Sequence, residues 1–389
     1  PMDSTLRRTW AEIDLDALAH NYRTLRSRMG ERARFLGVVK ADAYGHGAVE
    51  VSRTLEELGA EYLAVSNLDE ALELRQGGVA LPILQLGLTP ADQTAQAMAC
   101  RVTQAVWSER AAWDFSREAQ RAGGTLKIHI KLDTGMSRLG FPCGEGRFEE
   151  SVEAIRRVCA LPGLEAEGIF THFAVSDEAD EDSRAYTLRQ YRQFTAMTEA
   201  LADRGVSFAI RHCANSGAAA GYPQFACDMF RPGIVSYGIG HQAEALGLRP
   251  VMTLKTVVGA VRELPEDTAV SYGCTFRTTR PSRIGVLPIG YADGLHRVLS
   301  NQWQVWTPWG TAPIVGRICM DMCMVDLTGL PQVREGGEVE VYGARNSVNE
   351  AARLAGTIAY ELTCAVSRRV PRVYCRDGRE VARELLLRG

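Results

Sequence analysis

The stretch Phe35-Leu36-Gly37-Val38-Val39-Lys40 is an apolar run of strand length that closes on a lysine. Seven similar runs follow it, separated by Ala- and Glu-rich segments whose apolar residues recur with a helical period. Eight buried strands alternating with helices are typical of a parallel (β/α)8 TIM-type barrel. An open, doubly wound sheet has the same alternation and is the main alternative. The eight predicted strands are Phe35–Lys40, Glu61–Ser66, Pro82–Leu86, Val102–Trp107, Leu126–Leu132, Ala166–His172, Phe208–His212 and Ile234–Tyr237.

The pattern changes after about residue 245, where helical periodicity fades and short strand-like runs bounded by Gly and Pro take over. One helix is predicted within this part, at Val348–Ala355. A strand-like run at Thr9–Leu15 precedes the barrel and is a candidate to pair with the second domain. We therefore divide the chain into an N-terminal strand at 1–15, a barrel at 16–245 and a mostly β C-terminal domain at 246–389. Its predicted strands are Met252–Val261, Arg283–Leu287, Gln304–Trp306, Ala312–Val315, Met322–Asp326 and Glu338–Val341.

The composition is that of an ordinary globular protein. Of the 389 residues, 46% are hydrophobic and 23% are charged, and the net charge is −3, so neither a nucleic acid nor an anionic membrane is an expected partner. No run approaches the roughly 20 apolar residues that span a bilayer, and residues 1–15 lack the apolar core of a secretion signal. The ten cysteines show no spacing typical of a metal site. We therefore expect reduced thiols, no bound metal and a cytoplasmic location.

Unusual polar residues collect at the predicted strand ends, which is where (β/α)8 barrels carry their reactive groups. Lys40 ends the first run, and partial desolvation there favours the neutral amine, the form that reacts with a carbonyl group. A lysine whose charged end simply reaches solvent is the alternative. The other polar residues are Lys131 and Arg138 after the fifth run, His172 at the end of the sixth, Asn215 and Ser216 after the seventh, and Arg231 just before the eighth.

Glycine-rich turns follow or flank these runs. The backbone N–H groups of His212–Gly217 and Arg231–Ile234, with the Ser216 hydroxyl, are suited to hold a phosphate group. In the second domain, Ser271–Gly273 and Ile289–Gly294 place tyrosines beside glycines. Ordinary turn formation and packing are the alternatives at all of these positions.

Several of these motifs resemble those of one family, the alanine racemases. Val39–Gly47 resembles that family's cofactor-lysine signature. The matches follow one another in the family's order and span nearly the whole chain. The resemblance implies a pyridoxal-phosphate barrel followed by a β domain, in a head-to-tail homodimer whose active sites each use both subunits. The other similar segments are Lys131–Gly140, Thr171–Phe173, Ala214–Ser216, Arg231–Gly233, Ser271–Gly273, Gly290–Gly294, Gly316–Asp321 and Ser367–Arg372.

The resemblance also implies a role for each matching residue. Lys40 would attach the cofactor and exchange the α-proton of D-alanine, and Tyr272 of the partner subunit would do so for L-alanine. Arg231 would face the pyridine nitrogen, and Arg138 would contact the phenolic oxygen and the substrate carboxylate. Lys131 matches a position that is carbamylated in many members, where the carbamate orients the arginine. The phosphate would be held by Tyr44, Ser216, Tyr360 and the backbone of Gly233 and Ile234, and further cofactor contacts would come from His172 and Asn215. The substrate would be contacted by Met320, Tyr291, Cys319 and Asp321. The access corridor would be lined by Asp177, Arg297, Arg317 and Ile358.

Racemisation requires an acid–base group on each face of the planar carbanion, and Lys40 with Tyr272 supplies that pair. An arginine cannot readily give up its proton, so Arg231 keeps the pyridine nitrogen largely unprotonated and disfavours transamination. Three alternatives remain: a serine or broad-specificity racemase, a decarboxylase on the same barrel, and a non-enzymatic pyridoxal-phosphate homeostasis protein. Tyr360 favours alanine over serine. A decarboxylase would be expected to carry an acidic residue at the position of Arg231. The homeostasis proteins lack a second domain such as residues 246–389. The expected cellular role is supply of D-alanine for peptidoglycan.

Overall fold

The structure is a computed structural model that describes residues 8–30 and 32–385. These residues form two compact units. The barrel unit contains Asn21–Ala41 and Ala48–Ser236, and the sheet unit contains Asp42–Gly47 with the described parts of Pro1–His20 and Tyr237–Gly389. The domain limits at 15 and 245 that the sequence suggested stay a prediction.

The described residues form the following regular elements. The strands are β1 (Thr9–Asp14), β2 (Arg34–Val38), β3 (Tyr62–Val65), β4 (Ile83–Gln85), β5 (Val102–Val106), β6 (Leu126–Asp133), β7 (Phe141–Pro142), β8 (Leu164–Phe170), β9 (Ile210–His212), β10 (Met229–Phe230), β11 (Met252–Val257), β12 (Ala260–Leu264), β13 (Ala269–Val270), β14 (Phe276–Arg277), β15 (Ser282–Leu287), β16 (Gln304–Thr307), β17 (Gly310–Pro313), β18 (Cys323–Asp326), β19 (Glu338–Tyr342), β20 (Arg372–Arg376) and β21 (Arg379–Glu384). The helices are α1 (Leu15–Arg28), α2 (Lys40–Gly45), α3 (Ala48–Leu58), α4 (Leu68–Gln76), α5 (Thr94–Ala99), α6 (Glu109–Arg121), α7 (Phe148–Cys159), α8 (Glu181–Asp203), α9 (Ser216–Gly221), α10 (His241–Ala245), α11 (Val348–Ala355) and α12 (Ala359–Cys364).

The barrel unit is a nearly closed parallel barrel with strand order β10-β2-β3-β4-β5-β6-β8-β9. Every residue of β3 and β5 is buried, as expected for parallel strands covered on both faces. Next to the two end strands, Asp228 N donates to Arg211 O at 3.0 Å and Arg231 N to Ala214 O at 2.9 Å, which brings β9 and β10 together. The predicted (β/α)8 barrel is therefore confirmed, and the open sheet is excluded.

One predicted strand of the barrel is wrong. Ile234–Tyr237 forms a 3-10 turn, and the eighth strand is the preceding Met229–Phe230, which pairs with β2. The turn forms because Ser236 N donates to Gly233 O at 2.9 Å, within one turn of chain. Arg231 therefore follows the eighth strand instead of preceding it, and it lies at the carboxyl end like the other polar residues. The other seven strands lie within two residues of their predicted bounds.

The sheet unit contains a seven-stranded sheet in the order β17-β16-β19-β11-β1-β20-β21, together with a three-stranded sheet, β12-β15-β18. The N-terminal strand β1 runs antiparallel to β11 and parallel to β20, which confirms that this strand joins the C-terminal sheet. The predicted strand Met252–Val261 is in fact two strands, because Gly259 N leaves the first sheet and donates to Val286 O at 2.8 Å. The predicted helix Val348–Ala355 is confirmed, and α12 follows it unpredicted.

Among the residues that the structure describes, no helix is both long and apolar enough to cross a membrane. None of their His, Cys, Asp and Glu side chains form a group of three or more that is placed to hold a metal ion. All ten cysteines are free thiols.

Candidate active site

Lys40 follows β2 at the carboxyl end of the barrel, where it begins α2. The next four residues, Ala41 to Tyr44, have φ between 51° and 55°, so α2 is a left-handed turn built without glycine until Gly45. Each L-residue costs about 1–2 kcal/mol in this conformation. Such a turn persists only where the surrounding structure holds it, which is common next to functional groups.

The turn begins in the barrel unit and continues in the sheet unit, and each unit holds its own part of the turn by hydrogen bonds. In the barrel unit, Ala41 N donates to Glu70 Oε1 at 2.7 Å. In the sheet unit, the Arg372 guanidinium donates through Nε to Gly45 O at 3.1 Å. Gly45 has φ +85°, and a side chain there would overlap the carbonyl oxygen of Thr363. The residue after Tyr44 must therefore be glycine.

The predicted cations of the barrel mouth lie together around His172. Arg231 is only 3% exposed, and one of its Nη2 hydrogens points toward His172 Nδ1 at 3.4 Å. Burial, followed by the positive charges of Arg231, Lys131, Arg138 and Lys40, lowers the pKa of His172 well below its usual value. His172 is therefore a neutral imidazole in a strongly positive surrounding.

Lys131 is the unusual member of this group. It is 8% exposed on β6, and its Nζ lies 4.8 Å from the centre of the Phe170 ring. Burial, and then the charges of Arg231 and Arg138, lower the pKa of its amine well below the usual value. Among the described residues, no carboxylate lies within 4 Å of it. The neutral form of this amine is therefore favoured, and the neighbouring guanidinium groups would stabilise a negative charge there, as carbamylation would provide.

The two turns that the sequence suggested for phosphate binding meet in the barrel unit. Asn215 caps α9, because its Oδ1 accepts a hydrogen bond from Ala218 N at 3.1 Å. The Ser216 hydroxyl accepts a hydrogen bond from Gly233 N at 2.8 Å, and Ile234 begins the adjoining 3-10 turn. The hydroxyl and the main-chain donors thus converge on one place. Asp177, predicted for the access corridor, is exposed on the same unit.

The sheet unit carries the second group of predicted residues on loops that contact one another. Tyr291 N donates to Cys319 O at 3.0 Å, and the Ser271 hydroxyl donates to Arg317 O at 2.6 Å. Tyr272, 69% exposed, lines a cavity of about 490 Å³ together with Ser271 and Cys319. The predicted residues of this unit that are exposed are Tyr272, Tyr291, Arg297, Met320, Asp321, Ile358 and Tyr360. They present apolar, phenolic and charged groups to the outside of the unit.

A buried carboxylate that the sequence reasoning missed supports these loops. Asp293 accepts hydrogen bonds from Gly290 N at 2.9 Å and from Arg8 and Arg369, each at 2.7 Å. Burial raises the pKa of this carboxyl, but the hydrogen bonds from Arg8 and Arg369 outweigh it and hold the pKa below its usual range. Arg369 also donates to Asp321 Oδ1 at 2.7 Å. The signal in the sequence was an aspartate two residues after Tyr291, within a glycine-bounded turn.

Tyr44 and Tyr360, both predicted phosphate contacts, lie together within the sheet unit with their ring centres 5.9 Å apart. Tyr44 is buried, and burial, followed by the neighbouring Tyr360, raises the pKa of its phenol. The phenol therefore stays protonated and can donate a hydrogen bond to an anion.

Three further polar side chains of the barrel were missed as well, namely the buried His212 and His129 and the half-buried Glu167. Arg231 Nη1 lies 2.8 Å from His212 Nδ1, His212 Nε2 lies 2.8 Å from His129 Nδ1, and His129 Nε2 lies 3.2 Å from Glu167 Oε2. A signal was present, because basic side chains alternate along β6 and alternate residues of a strand face the same side. Sequence reasoning could not tell that this side was the barrel interior.

Together these features define a barrel protein with a lysine at the carboxyl end of its first barrel strand and a second, sheet-rich unit. Comparison with known proteins narrows this class. The family model described as alanine racemase, N-terminal domain, matches residues 13–241, and that of the C-terminal domain matches residues 251–374. The chain belongs to the alanine racemase family and is a racemase, as the motifs predicted.

Individual relatives agree over nearly their full length. The chain is 43% identical over 384 residues to "Alanine racemase 2" of Caldanaerobacter subterraneus, covering 97% of each protein. It is 43% identical to the alanine racemase of Methanococcus maripaludis, covering 94% of this chain and 98% of the other. Among solved structures, the alanine racemase of Clostridium difficile 630 matches with a TM-score of 0.93 and 38% identity, over 98% of this chain and 99% of that one. The alanine racemase of Bacillus anthracis with bound L-Ala-P matches with a TM-score of 0.88 and 34% identity, over 98% of both chains.

Proposed function

We propose that the protein interconverts L-alanine and D-alanine with pyridoxal phosphate as its cofactor. The observation that carries this proposal is the placement of Lys40 at the carboxyl end of the barrel, in the same unit as the buried Arg231. A decarboxylase would be expected to carry a carboxylate at the position of Arg231. The names of the relatives support alanine as the substrate, and the relative from Bacillus anthracis carries L-Ala-P, an analogue by its name.

The residues present fit pyridoxal phosphate. The Ser216 hydroxyl and the N–H groups of Gly233 and Ile234 would hold its phosphate. Tyr44 and Tyr360, whose rings lie together, are the further phosphate contacts that the family resemblance implies. Arg231 would donate to the ring nitrogen, and Lys40 would attach the cofactor covalently. When bound, the cofactor supplies an electron sink for the negative charge left on the α-carbon.

Two proton carriers then act on opposite faces of the substrate. The Lys40 amine would hold the proton on one face and the Tyr272 phenol would hold it on the other, which is the minimum that racemisation requires. Tyr272 is 69% exposed in its own chain, which is unusual for a tyrosine and supports its use by a second copy. The proposal therefore includes a homodimer in which each site combines the barrel unit of one subunit with Tyr272 of the other.

Two positive groups would fix the outcome of the reaction. Arg231 stays protonated and cannot pass its proton to the ring nitrogen, so the α-carbon remains the position that is protonated. Arg138 would contact the substrate carboxylate, oriented by the carbamate that we propose for Lys131.

Tyrosines restrict the size of the substrate. Tyr291 and Tyr360, with the corridor residues Arg297, Arg317 and Ile358, would leave room for a methyl group. A hydroxyl added to that group costs only about 1–3 kcal/mol in such a pocket, so alanine is preferred without serine being fully rejected. In the cell, this activity would take place in the cytoplasm and would supply D-alanine for peptidoglycan.

Chiral analysis of L-alanine incubated with purified protein and pyridoxal phosphate tests the reaction. We expect an equal mixture of the two enantiomers at equilibrium, because they have the same free energy. Faster turnover of L-serine than of L-alanine would overturn the substrate assignment.

The cofactor lysine has its own test. Lys40→Ala is expected to abolish the visible absorbance of the bound cofactor, whereas Lys255→Ala, a lysine of the C-terminal sheet that pairs with Glu12, should leave it unchanged. An unchanged spectrum in Lys40→Ala would point to a different lysine.

A further inference from the structure

Three buried side chains and one half-buried carboxylate form a continuous hydrogen-bonded array through the barrel. It runs from Arg231 at the mouth through His212 of β9 and His129 of β6 to Glu167 of β8, and we call these residues the Arg231–Glu167 array. The three links measure 2.8, 2.8 and 3.2 Å. Arg231, His212 and His129 are all buried, and the Glu167 side chain is 15% exposed.

The chemistry of the two ends fixes the direction of every hydrogen bond. A guanidinium only donates, so His212 Nδ1 must accept from Arg231, and the proton of that ring must be on Nε2. His212 Nε2–H then donates to His129 Nδ1, which places the second ring's proton on Nε2 as well. His129 Nε2–H donates to Glu167, and an ionised carboxylate only accepts. Both rings are therefore neutral Nε2–H tautomers, and neither can take a second proton without breaking a link.

The backbone makes room for this arrangement. The pairing of β6 with β8 shifts register between Ile128 and His129, opposite Gly168. A Cβ at Gly168 would lie 2.6 Å from His129 Cε1, so any larger residue would displace the ring. The His212 ring is stacked on Phe170 with centres 4.8 Å apart and an interplanar angle of 5°. Both imidazoles are thus held in one orientation.

The array links a buried cation to a distant anion. Among the described residues, no carboxylate lies within 4 Å of Arg231. Glu167 is held ionised at the other end of the array, where Lys127 Nζ donates to it at 2.8 Å and the Tyr62 hydroxyl at 2.7 Å. The hydrogen bond from His129, with those from Lys127 and Tyr62, keeps the pKa of this carboxyl well below its usual range.

The anionic end lies away from the barrel mouth. Glu167 lines a cavity of about 320 Å³ together with residues at the amino ends of the strands, among them Tyr62, Val102 and Leu126. The catalytic groups, in contrast, follow the carboxyl ends. A substitution at Glu167 therefore changes the array without touching substrate or cofactor.

We propose that Glu167 is a positioning residue of the active site, which acts through His129 and His212 as the counter-charge of Arg231 and fixes where its guanidinium donates. The inference rests on the proposed function in one respect, namely that Arg231 faces the cofactor ring. In Glu167→Gln the amide side chain can donate as well as accept, so residue 167 no longer fixes the direction of the hydrogen bonds in the array. The charge that balances Arg231 is lost at the same time.

Histidine tautomers provide a readout that a merely structural role would not move. The full-length chain has only seven histidines, so 15N-histidine labelling gives few signals, recorded with and without pyridoxal phosphate. We expect His129 and His212 of the unaltered chain to be neutral Nε2–H tautomers in both samples. A doubly protonated or Nδ1–H form of either ring would overturn the proposal, whether or not any variant folds and whether or not the protein racemises alanine.

A matched pair of variants tests the role of the carboxylate. In Glu167→Gln we expect the His129 and His212 resonances to shift. Cofactor affinity and kcat should each fall by about 10-fold, which is common when a residue that orients a functional group is replaced. The KM for alanine should stay nearly unchanged. Glu165→Gln is the control, because Glu165 lies on the same strand 3.7 Å from the same Lys127 and has a 55% exposed side chain. Unchanged resonances and affinity in Glu167→Gln, or equal losses in both variants, would overturn the proposal.

Discussion

Arg372 Nε donates to the carbonyl oxygen of Gly45 at 3.1 Å, and this contact lies at the end of the left-handed turn that begins at Lys40. Three of the four remaining N–H groups of this buried guanidinium donate to the carbonyl oxygens of Val366, Ser367 and Val370 at 2.7–2.8 Å. Arg372 therefore ties the strained turn to the loop before β20. The conformation next to Lys40 depends on a residue more than three hundred positions away in sequence.

Arg372→Met is expected to weaken both stability and cofactor binding. Its loss leaves several buried carbonyl groups unpaired, so the free energy of unfolding should fall by at least ~3 kcal/mol. The relaxed turn should also lower cofactor affinity, because Lys40 precedes it directly. Urea denaturation and the visible absorbance of the bound cofactor measure the two effects. Arg368→Met is the control, since Arg368 is exposed in the same segment, and equal stability of the two variants would contradict the assignment.

Lys131 is expected to carry a carbamate in the folded protein. Burial and two guanidinium groups lower the pKa of its amine well below the usual value, which favours the neutral form, and only the neutral amine reacts with carbon dioxide. Protein equilibrated with 13C-labelled bicarbonate should therefore show a carbamate signal by NMR. Lys131→Arg should lose this signal and place a positive charge where the carbamate would be negative, with kcat reduced by about 10-fold or more. A wild-type spectrum without a carbamate signal would show that Arg138 is oriented in some other way.

The barrel could be predicted because its determinants are local. The run Phe35–Val39 is apolar throughout, and helices such as Ala48–Leu58 and Leu68–Gln76 show their period within a few turns. The prediction of the eighth strand was wrong because Ile234–Tyr237 begins with two β-branched apolar residues, yet a hydrogen bond to Gly233 O folds it into a turn. Short apolar runs do not separate these outcomes.

The candidate site was predictable as a set of residues and not as a set of contacts. Motif resemblance suggested Lys40, Arg231 and Tyr272, but no local pattern indicates that four residues after Lys40 would adopt positive φ. The links from Arg231 to Glu167 join strands that are far apart in sequence, so they depend on barrel closure. Asp293 was missed for the same reason, because its partners Arg8 and Arg369 lie near the two ends of the chain.

Tyr272→Phe is expected to affect the two directions of the reaction unequally. The variant removes only the phenolic oxygen that would take the proton from L-alanine, so exchange of the α-proton of L-alanine in deuterated water should fall by ~100-fold or more, and that of D-alanine far less. Tyr222→Phe removes a phenol on the barrel unit away from the proposed site and should change neither rate. Equal isotope effects in both directions would contradict the two-base assignment.

His46 is expected to make stability depend on pH. Its ring is fully buried, and Nδ1–H donates to Ala43 O at 2.9 Å and to Tyr44 O at 3.1 Å. Burial lowers the pKa of His46 to about 4, although these carbonyl contacts act in the opposite direction. The unfolded chain has a histidine pKa of about 6.5. Between these two values the unfolded chain binds a proton that the folded chain does not.

The free energy of unfolding must therefore fall as the pH is lowered from about 6.5 toward 4, by about 1.4 kcal/mol per pH unit for this residue, and the contribution is fully present above that range. Urea denaturation at a series of pH values measures the slope. The other buried histidines add to it, so the informative quantity is the difference between wild type and His46→Gln. This variant should have a shallower slope, and His20→Gln, a substitution at a half-buried histidine, is the matched control. Parallel slopes for wild type and His46→Gln would mean that His46 binds its proton equally in the folded and unfolded chain.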